Sequence, residues 1–251
     1  MDSRLAVVIM AAGKGTRMNN PAMAKVMYTI ANKPMVEHVV ELAQSLHAAR
    51  IVVIVGWQKD TVIDHLRQRG KNVVCVEQNP QLGTGHAIMQ AEKPLEGFFG
   101  DVLVLSGDVP LLTRSTVYTL LSYHREKPAA ATILTALLDD PAGYGRILRT
   151  SGDGKVTGIV EHKDATDEQR AIREINSGIY VFDKQKLFDG LQHITPNNVQ
   201  KEYYLTDVFQ HFWQNQFPVR AIPASDAIEI QGINTVQQLE DARDVFAARK
   251  G

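Results

Sequence analysis

The chain has 251 residues, 44% hydrophobic and 22% charged, the composition of a folded globule long enough to bury a large core without covalent staples. Its 27 lysines and arginines against 28 aspartates and glutamates leave a formal charge of −1, which excludes a broadly basic nucleic-acid surface though not a local basic pocket. A single cysteine, Cys75, excludes a disulfide framework, and the longest apolar run, Leu5 to Ala12, falls far short of the ~20 residues of a membrane-spanning helix.

Met1-Asp2-Ser3-Arg4 carries one acid and one base rather than the positive charge of a secretory leader, so a cytoplasmic protein with no membrane partner is expected. Leu5 to Met10 reads as a strand covered on both faces, and Ala11 to Met18 as a glycine-containing turn. Apolar residues at helical spacing predict a helix over Pro34 to Ala49, with Pro34 in its first turn. Ile51 to Val55 is a second strand, Thr61 to Arg69 a helix, and Val73 to Val76 a third strand. A helix over Gly83 to Glu92, a strand over Val102 to Leu105 and a helix over Thr113 to Glu126 follow. This alternation predicts an α/β fold with a mostly parallel central sheet and helices on both faces. In such sheets ligands sit beyond the carboxyl ends of the strands. Gly13 to Arg17, Gln78 to Thr84 and Ser106 to Asp108 are therefore expected to face one crevice.

Beyond residue 128 the pattern changes. Ala130 to Leu137, Arg146 to Arg149, Lys155 to Glu161 and Ile179 to Phe182 read as strands, with Ser151-Gly152-Asp153-Gly154 as a hairpin tip. Asp164 to Arg173 reads as an exposed loop or helix, Tyr203 to Gln214 as a helix, and Thr235 to Arg249 as a closing amphipathic helix. No linker or repeat interrupts residues 1–251, so one continuous unit is expected.

Three segments carry chemistry. In Ala11-Ala12-Gly13-Lys14-Gly15-Thr16-Arg17-Met18, small residues after a strand let backbone amides cradle a phosphate, and Lys14, Arg17 and Lys25 add cations. It is neither a Walker A loop, since Val8 stands at the first glycine, nor a G-x-G-x-x-G turn, since Met18 stands at the last. A plain basic turn would look the same. Asp108, in Ser106-Gly107-Asp108, would end a central strand where one carboxylate with phosphate oxygens can hold Mg²⁺, or it is a surface acid before Pro110. Gln78 could read a base edge, and Gly83 and Gly85 permit close backbone contact at a helix start. His86 reads as structural rather than as a base, because phosphate chemistry needs no strong base here.

Met10 to Met18 with Lys25 resembles the signature of nucleotidyltransferases that join a nucleoside triphosphate to a sugar 1-phosphate. Gln81 to Ala87, Gly143 to Ile147, Gly158 to Ala165, Glu174 to Gly178 and Glu202 to Asp207 resemble, in order over about residues 5–245, the uridylyltransferase domain of N-acetylglucosamine-1-phosphate uridyltransferases. The resemblance implies a Rossmann-like nucleotide-sugar transferase, with a nucleotide-binding half at 1–128 and a sugar-binding half at 129–251. It implies transfer of UMP from UTP to N-acetylglucosamine 1-phosphate, giving UDP-N-acetylglucosamine and pyrophosphate, with Mg²⁺ as cofactor.

Residue by residue, it implies that Met10, Ala11, Ala12, Gly13, Gly83 and Thr84 contact the uridine and that Gln78 reads the uracil. Lys14, Ser106 and Gly107 join the substrate-binding set, and Arg17 and Lys25 stabilise the triphosphate and leaving pyrophosphate. Asp108 and Asn234 would hold the metal. Gly145, Glu161 and Asn176 would bind the sugar, and Tyr203 and Thr206 would line its N-acetyl end. Two departures stand out: Ala24 replaces a proline usual before Lys25, which would loosen that loop, and Ser106 replaces a tyrosine, which would remove a packing contact near the sugar. No hexapeptide repeats are present, so no acetyltransferase activity is expected, leaving room for a separate acetyltransferase upstream. A related enzyme taking another sugar or base, such as a galactosamine-type uridylyl or a thymidylyltransferase, and a non-catalytic UDP-sugar sensor stay open as alternatives.

Overall fold

Leu5, Val7 and Ile9 face one side of the first strand and Ala6 and Val8 the other, and both sets are sealed from solvent. A strand apolar on both faces needs helices on both, and the chain supplies them. The computed structural model describes residues 2–18, 20, 22–68, 70, 73–127 and 129–249, with no side-chain detail at 2 and 3.

In chain order the elements are β1 (Asp2–Ala11), β2 (Thr29–Ile30), β3 (Lys33–Pro34), α1 (Met35–Ser45), β4 (Ala48–Val55), α2 (Lys59–Leu66), β5 (Val73–Glu77) and α3 (Thr84–Met89). Then come β6 (Asp101–Ser106), α4 (Arg114–Glu126), β7 (Ala131–Leu137), β8 (Gly145–Arg149), β9 (Val156–Val160), α5 (Asp167–Arg170) and β10 (Glu174–Asp183). The chain ends with α6 (Lys184–Leu191), α7 (Val208–Gln214), β11 (Val219–Pro223) and α8 (Val236–Ala248). Among the described residues the main sheet runs β11-β7-β10-β6-β1-β4-β5. Along that path β10 alone runs against its neighbours, pairing antiparallel with β6 and β7. The sheet is continuous across the two halves of the chain.

Helices α1, α2 and α4 pack on the Leu5–Val7–Ile9 face. Helices α3, α6 and α7 pack on the other, around Phe182, Phe209 and Phe212. Helix α8 closes a smaller cluster with Met18, Ile30 and Met35, and Arg243 Nη2 donates to the Thr29 carbonyl over 2.9 Å. Its start is set by Thr235 and Gln238, which cap each other's backbone. Among the described residues no helix is long and apolar enough to cross a membrane.

Several expected boundaries shift. Pro34 lies in β3, just outside α1, and the chain leaves that helix early enough for β4 to begin at Ala48. Helix α2 ends at Leu66, and the expected end at Arg69 lies outside the described residues. Helix α3 stops at Met89, and α7 begins only at Val208, because Tyr204 is extended and a 3₁₀ turn follows it. The β2–β3 ribbon, α6 and β11 were not anticipated.

Strand β10 slips register between Asn176 and Tyr180, with Gly178 at φ +78°. Such a bulge re-aims side chains. Its exposed backbone is met locally: the Ile179 N–H donates to Ser177 Oγ over 3.1 Å, and Ser177 Oγ donates to the Leu134 carbonyl over 2.6 Å.

Glu229, 7% exposed, accepts from the backbone N–H of Thr113 over 3.1 Å and from its hydroxyl over 2.9 Å, tying the C-terminal segment to the start of α4. Glu229→Ala is expected to cost about 1–3 kcal/mol of stability by leaving these donors unpaired. Urea unfolding checks this, and a loss below a few tenths would remove the tie.

Candidate active site

The carboxyl ends of β1, β5 and β6 deliver three loops to one cavity of 630 Å³. Its lining includes Met10, Ala11, Ala12, Gly13, Lys14, Lys25, Gln78, Gly83, Thr84, Ser106 and Asp108. The first loop passes close to Lys25: Gly15 lies at φ +63°, and a Cβ there would stand 2.5 Å from Lys25 Cβ. Gly107 lines no part of the cavity. Its N–H donates to the Met10 carbonyl over 2.9 Å and so latches the β6 loop to the end of β1.

A polar clasp sits at the cavity edge. Lys25 Nζ makes an ion pair with Asp108 Oδ2, the two side chains 12% and 13% exposed. The same ammonium donates to Asn234 Oδ1 over 2.9 Å, and Arg17 Nη2 donates to that oxygen over 3.1 Å. Ser106 Oγ donates to Asp108 Oδ1 over 2.6 Å. Asn234 is brought here by the Ile233 N–H, which donates to the Asp108 carbonyl over 2.9 Å. Thus the two expected metal-holding residues and the two expected cations meet, although they come from four separated segments. The oxygens of Asp108 and Asn234 form a hard donor set around a position that a cationic group already fills, which is the chemistry a divalent metal needs.

The two sequence departures lie beside the clasp. Ala24 is 1% exposed and holds φ −61°, ψ 133°, the backbone a proline would preset. Ser106, which cannot supply a tyrosine's packing contact, donates a hydrogen bond to Asp108 instead.

The Gln78 loop is stitched to the second half of the chain. The Gly85 N–H donates to the Tyr203 carbonyl over 2.7 Å, and the Tyr203 N–H to the Leu82 carbonyl over 2.8 Å. Thr84 Oγ1 accepts from the Leu205 N–H over 3.0 Å. Gly83 has φ +104°, and a Cβ there would stand 2.6 Å from the Tyr203 oxygen. Gln78 Nε2 donates to the Gly83 carbonyl over 2.9 Å and lies 3.2 Å from His86 Nδ1. Burial lowers the His86 pKa, favouring the neutral ring.

A second group gathers Gly145, Glu161, Asn176 and Thr206. Gly145 pairs with Asn176 between β8 and β10, and a Cβ on Gly145 would stand 3.4 Å from Glu161 Oε2. Thr206 Oγ1 donates to Glu161 Oε1 over 3.0 Å. Asn176 Nδ2 donates to Tyr180 Oη over 2.6 Å. Burial raises the Glu161 carboxyl pKa, while the Thr206 bond pulls it partly back. Asp207 is pushed up to about 6 by burial and then by the Asp164 charge. Neutral hydroxyls of a sugar suit such a surface better than a phosphate would.

Sequence reading missed the roles of Gln81 and Glu202, both in the cavity lining. Gln81 Nε2 donates to the Ala12 carbonyl over 2.7 Å and bridges the first and second loops. Lys14 Nζ stands 5.5 Å over the Trp57 ring, a cation–π contact at the outer wall.

Residues 6–227 match the nucleotidyl transferase family. The chain is 45% identical over 249 residues to the bifunctional protein GlmU of Halalkalibacterium halodurans, covering 99% of this chain and 53% of that protein. It is 44% identical over 260 residues to the protein of the same name from Corynebacterium efficiens, covering 100% and 53%. The chain thus spans about half the length of the curated relatives it matches. Among solved structures, UDP-glucose pyrophosphorylase complexed with UDP-glucose superposes with a TM-score of 0.76 at 17% identity, covering 97% of this chain and 98% of that one. A putative glucose-1-phosphate thymidylyltransferase from Bacillus anthracis superposes with a TM-score of 0.75 at 19% identity, covering 96% and 94%. At these identities the structures establish the shared fold.

Because burial raises Asp207, its charge costs stability above about pH 6, and that cost fades as the pH falls from there towards the ordinary carboxylate value. Asp207→Asn is expected to raise the thermal midpoint at about pH 7.5 and to flatten the rise in stability between about pH 6 and 4. Glu161, shifted the same way, leaves a residual slope. Thermal melts of both proteins across that range check it, and identical slopes would clear Asp207 of the effect.

Proposed function

Because this chain belongs to the nucleotidyl transferase family, we propose that it transfers UMP from UTP to N-acetylglucosamine 1-phosphate, giving UDP-N-acetylglucosamine and pyrophosphate. The observation that carries the reading is the clasp of Lys25, Asp108, Asn234 and Arg17 beside an amide-lined cavity. Phosphoryl-type transfer needs cations and a carboxylate held at the phosphates and little covalent help from the protein. The order of the sugar-side motifs and the similarity to the GlmU proteins support the N-acetylhexosamine uridylyl assignment.

In this reading the backbone of Met10 to Gly13 and the Gly83–Thr84 turn hold the uridine, and Gln78 meets the uracil edge. Lys14 extends the basic rim. Gly145, Glu161, Asn176 and Thr206 hold the sugar, with Tyr203 beside them. A phosphate monoester has its second pKa near ~6, so the attacking oxygen is already ionised at neutral pH and no base is needed. That oxygen bonds to the α-phosphorus in line as the bond to the β-phosphate oxygen breaks, and pyrophosphate departs with the electron pair. Arg17 and Lys25 face the charge that gathers on the departing group. Asp108 and Asn234 would hold Mg²⁺, which when bound neutralises phosphate charge. The water-soluble substrates fit a cytoplasmic setting.

Pyrophosphate release from UTP and N-acetylglucosamine 1-phosphate, against a panel of other nucleotides and sugar 1-phosphates, tests the assignment. A stronger response to thymidine or galactosamine substrates would reassign it, and tight UDP-sugar binding without turnover would make the protein a sensor. Lys25→Ala and Arg17→Ala are each expected to lower kcat by ~10²–10³ in a folded protein. Variants within a few-fold of wild type would take those residues out of catalysis. Asp108→Asn is expected to raise the Mg²⁺ concentration needed for half-maximal rate, and an unchanged metal dependence would place the metal elsewhere.

A further inference from the structure

Gln78 follows β5 in the cavity wall and is 4% exposed. Its Nε2 donates to the Gly83 carbonyl over 2.9 Å. A carbonyl oxygen only accepts, so this contact fixes which end of the amide is nitrogen. The same nitrogen carries a second hydrogen, and His86 Nδ1 stands 3.2 Å away. That contact is a hydrogen bond only if Nδ1 bears a lone pair.

A neutral imidazole has one such nitrogen, and two amides compete for it. His86 Nε2 lies 3.3 Å from Gln90 Nε2. Gln90, however, already donates to the His86 carbonyl over 2.9 Å and is partly open to water. Gln78 likewise donates once to a carbonyl, but at 4% exposure its second hydrogen has far less access to water than that of Gln90. The lone pair therefore belongs to Gln78, and the His86 proton belongs on Nε2. With its nitrogen end doubly held, the Gln78 amide has Oε1 as its free end. The residue lines the cavity, and Oε1 is the end of the amide left to face it.

We propose that His86 is a positioning residue for base selection: by accepting from Gln78 Nε2, it locks the amide with Oε1 towards the nucleotide. A base that offers a ring N–H at this point, uracil or thymine, is taken, and cytosine, which puts a lone pair there, is rejected. Buried polar groups left unpaired are what make such a site discriminate. The inference deepens the uridylyl reading and rests on it. His86 touches Gln78 and not the reacting atoms.

The test is equilibrium binding of UDP and of CDP to the whole chain by calorimetry, with the ratio of kcat/KM for UTP and CTP as a second readout. Wild type is expected to favour the uridine nucleotide. His86→Phe keeps a ring but has no lone pair, and is expected to reduce the UDP-over-CDP preference about tenfold. His86→Asn places an acceptor close to the position of Nδ1 and is expected to retain most of the preference. Should His86→Phe fail to fold, His86→Ala carries the same expectation. A preference unchanged in the Phe or Ala variant, or lost as fully in Asn as in Phe, overturns the role of His86 while leaving the uridylyl reading intact. A wild type that does not prefer UDP overturns both.

Discussion

One ammonium organises the functional edge of this molecule. Lys25 is 83 residues from Asp108 and 209 from Asn234, and it contacts both. The pair with Asp108 is largely withdrawn from water, so removing either partner would strand an uncompensated charge. A desolvated pair of this sort contributes little to stability overall. Around it the remaining pieces fall into place: the β1 loop bends past the lysine stem at Gly15, Ser106 anchors the carboxylate, and the segment ahead of α8 brings in Asn234 through the Ile233 bond to the Asp108 carbonyl.

The sheet explains why the clasp and the sugar-side group can be neighbours. Because β10 runs antiparallel to β6, its beginning, not its end, lies at the edge where β6 finishes. Asn176 comes at the start of β10 for that reason, and the bulge after it turns the side chain while Ser177 and Asn176 satisfy the disturbed backbone. The stitching of Leu82, Thr84 and Gly85 to Tyr203 and Leu205 then closes the nucleotide wall onto the second half.

Much of this was legible in residue order, and the unread parts share a physical reason. Leu5 to Met10 has no polar residue on either face, so a doubly covered strand was the simplest reading. Gly83 and Gly85 flagged a close approach, and the approaching partner proved to be the Tyr203 backbone. Strand β11 escaped because Val219 to Pro223 is short, holds an arginine and ends in proline, and it becomes a strand only by pairing with β7. Gln81 escaped because its bond to the Ala12 carbonyl spans 69 residues and leaves no local pattern. At the two departures residue type alone does not give the local detail: Ala24 keeps a proline-like backbone without the ring, and Ser106 offers a hydroxyl donor to Asp108.

The position of Asn234 has a consequence for how the molecule is made. Synthesis runs from the amino end, so β1, β4, β5 and β6, with the cavity loops between them, leave the ribosome long before the segment bearing Asn234. Most of the loops that line the hollow are therefore made before the residue that completes its cation centre. A chain clipped ahead of Asn234 would keep the Lys25–Asp108 pair and lose the oxygen that Lys25 and Arg17 share.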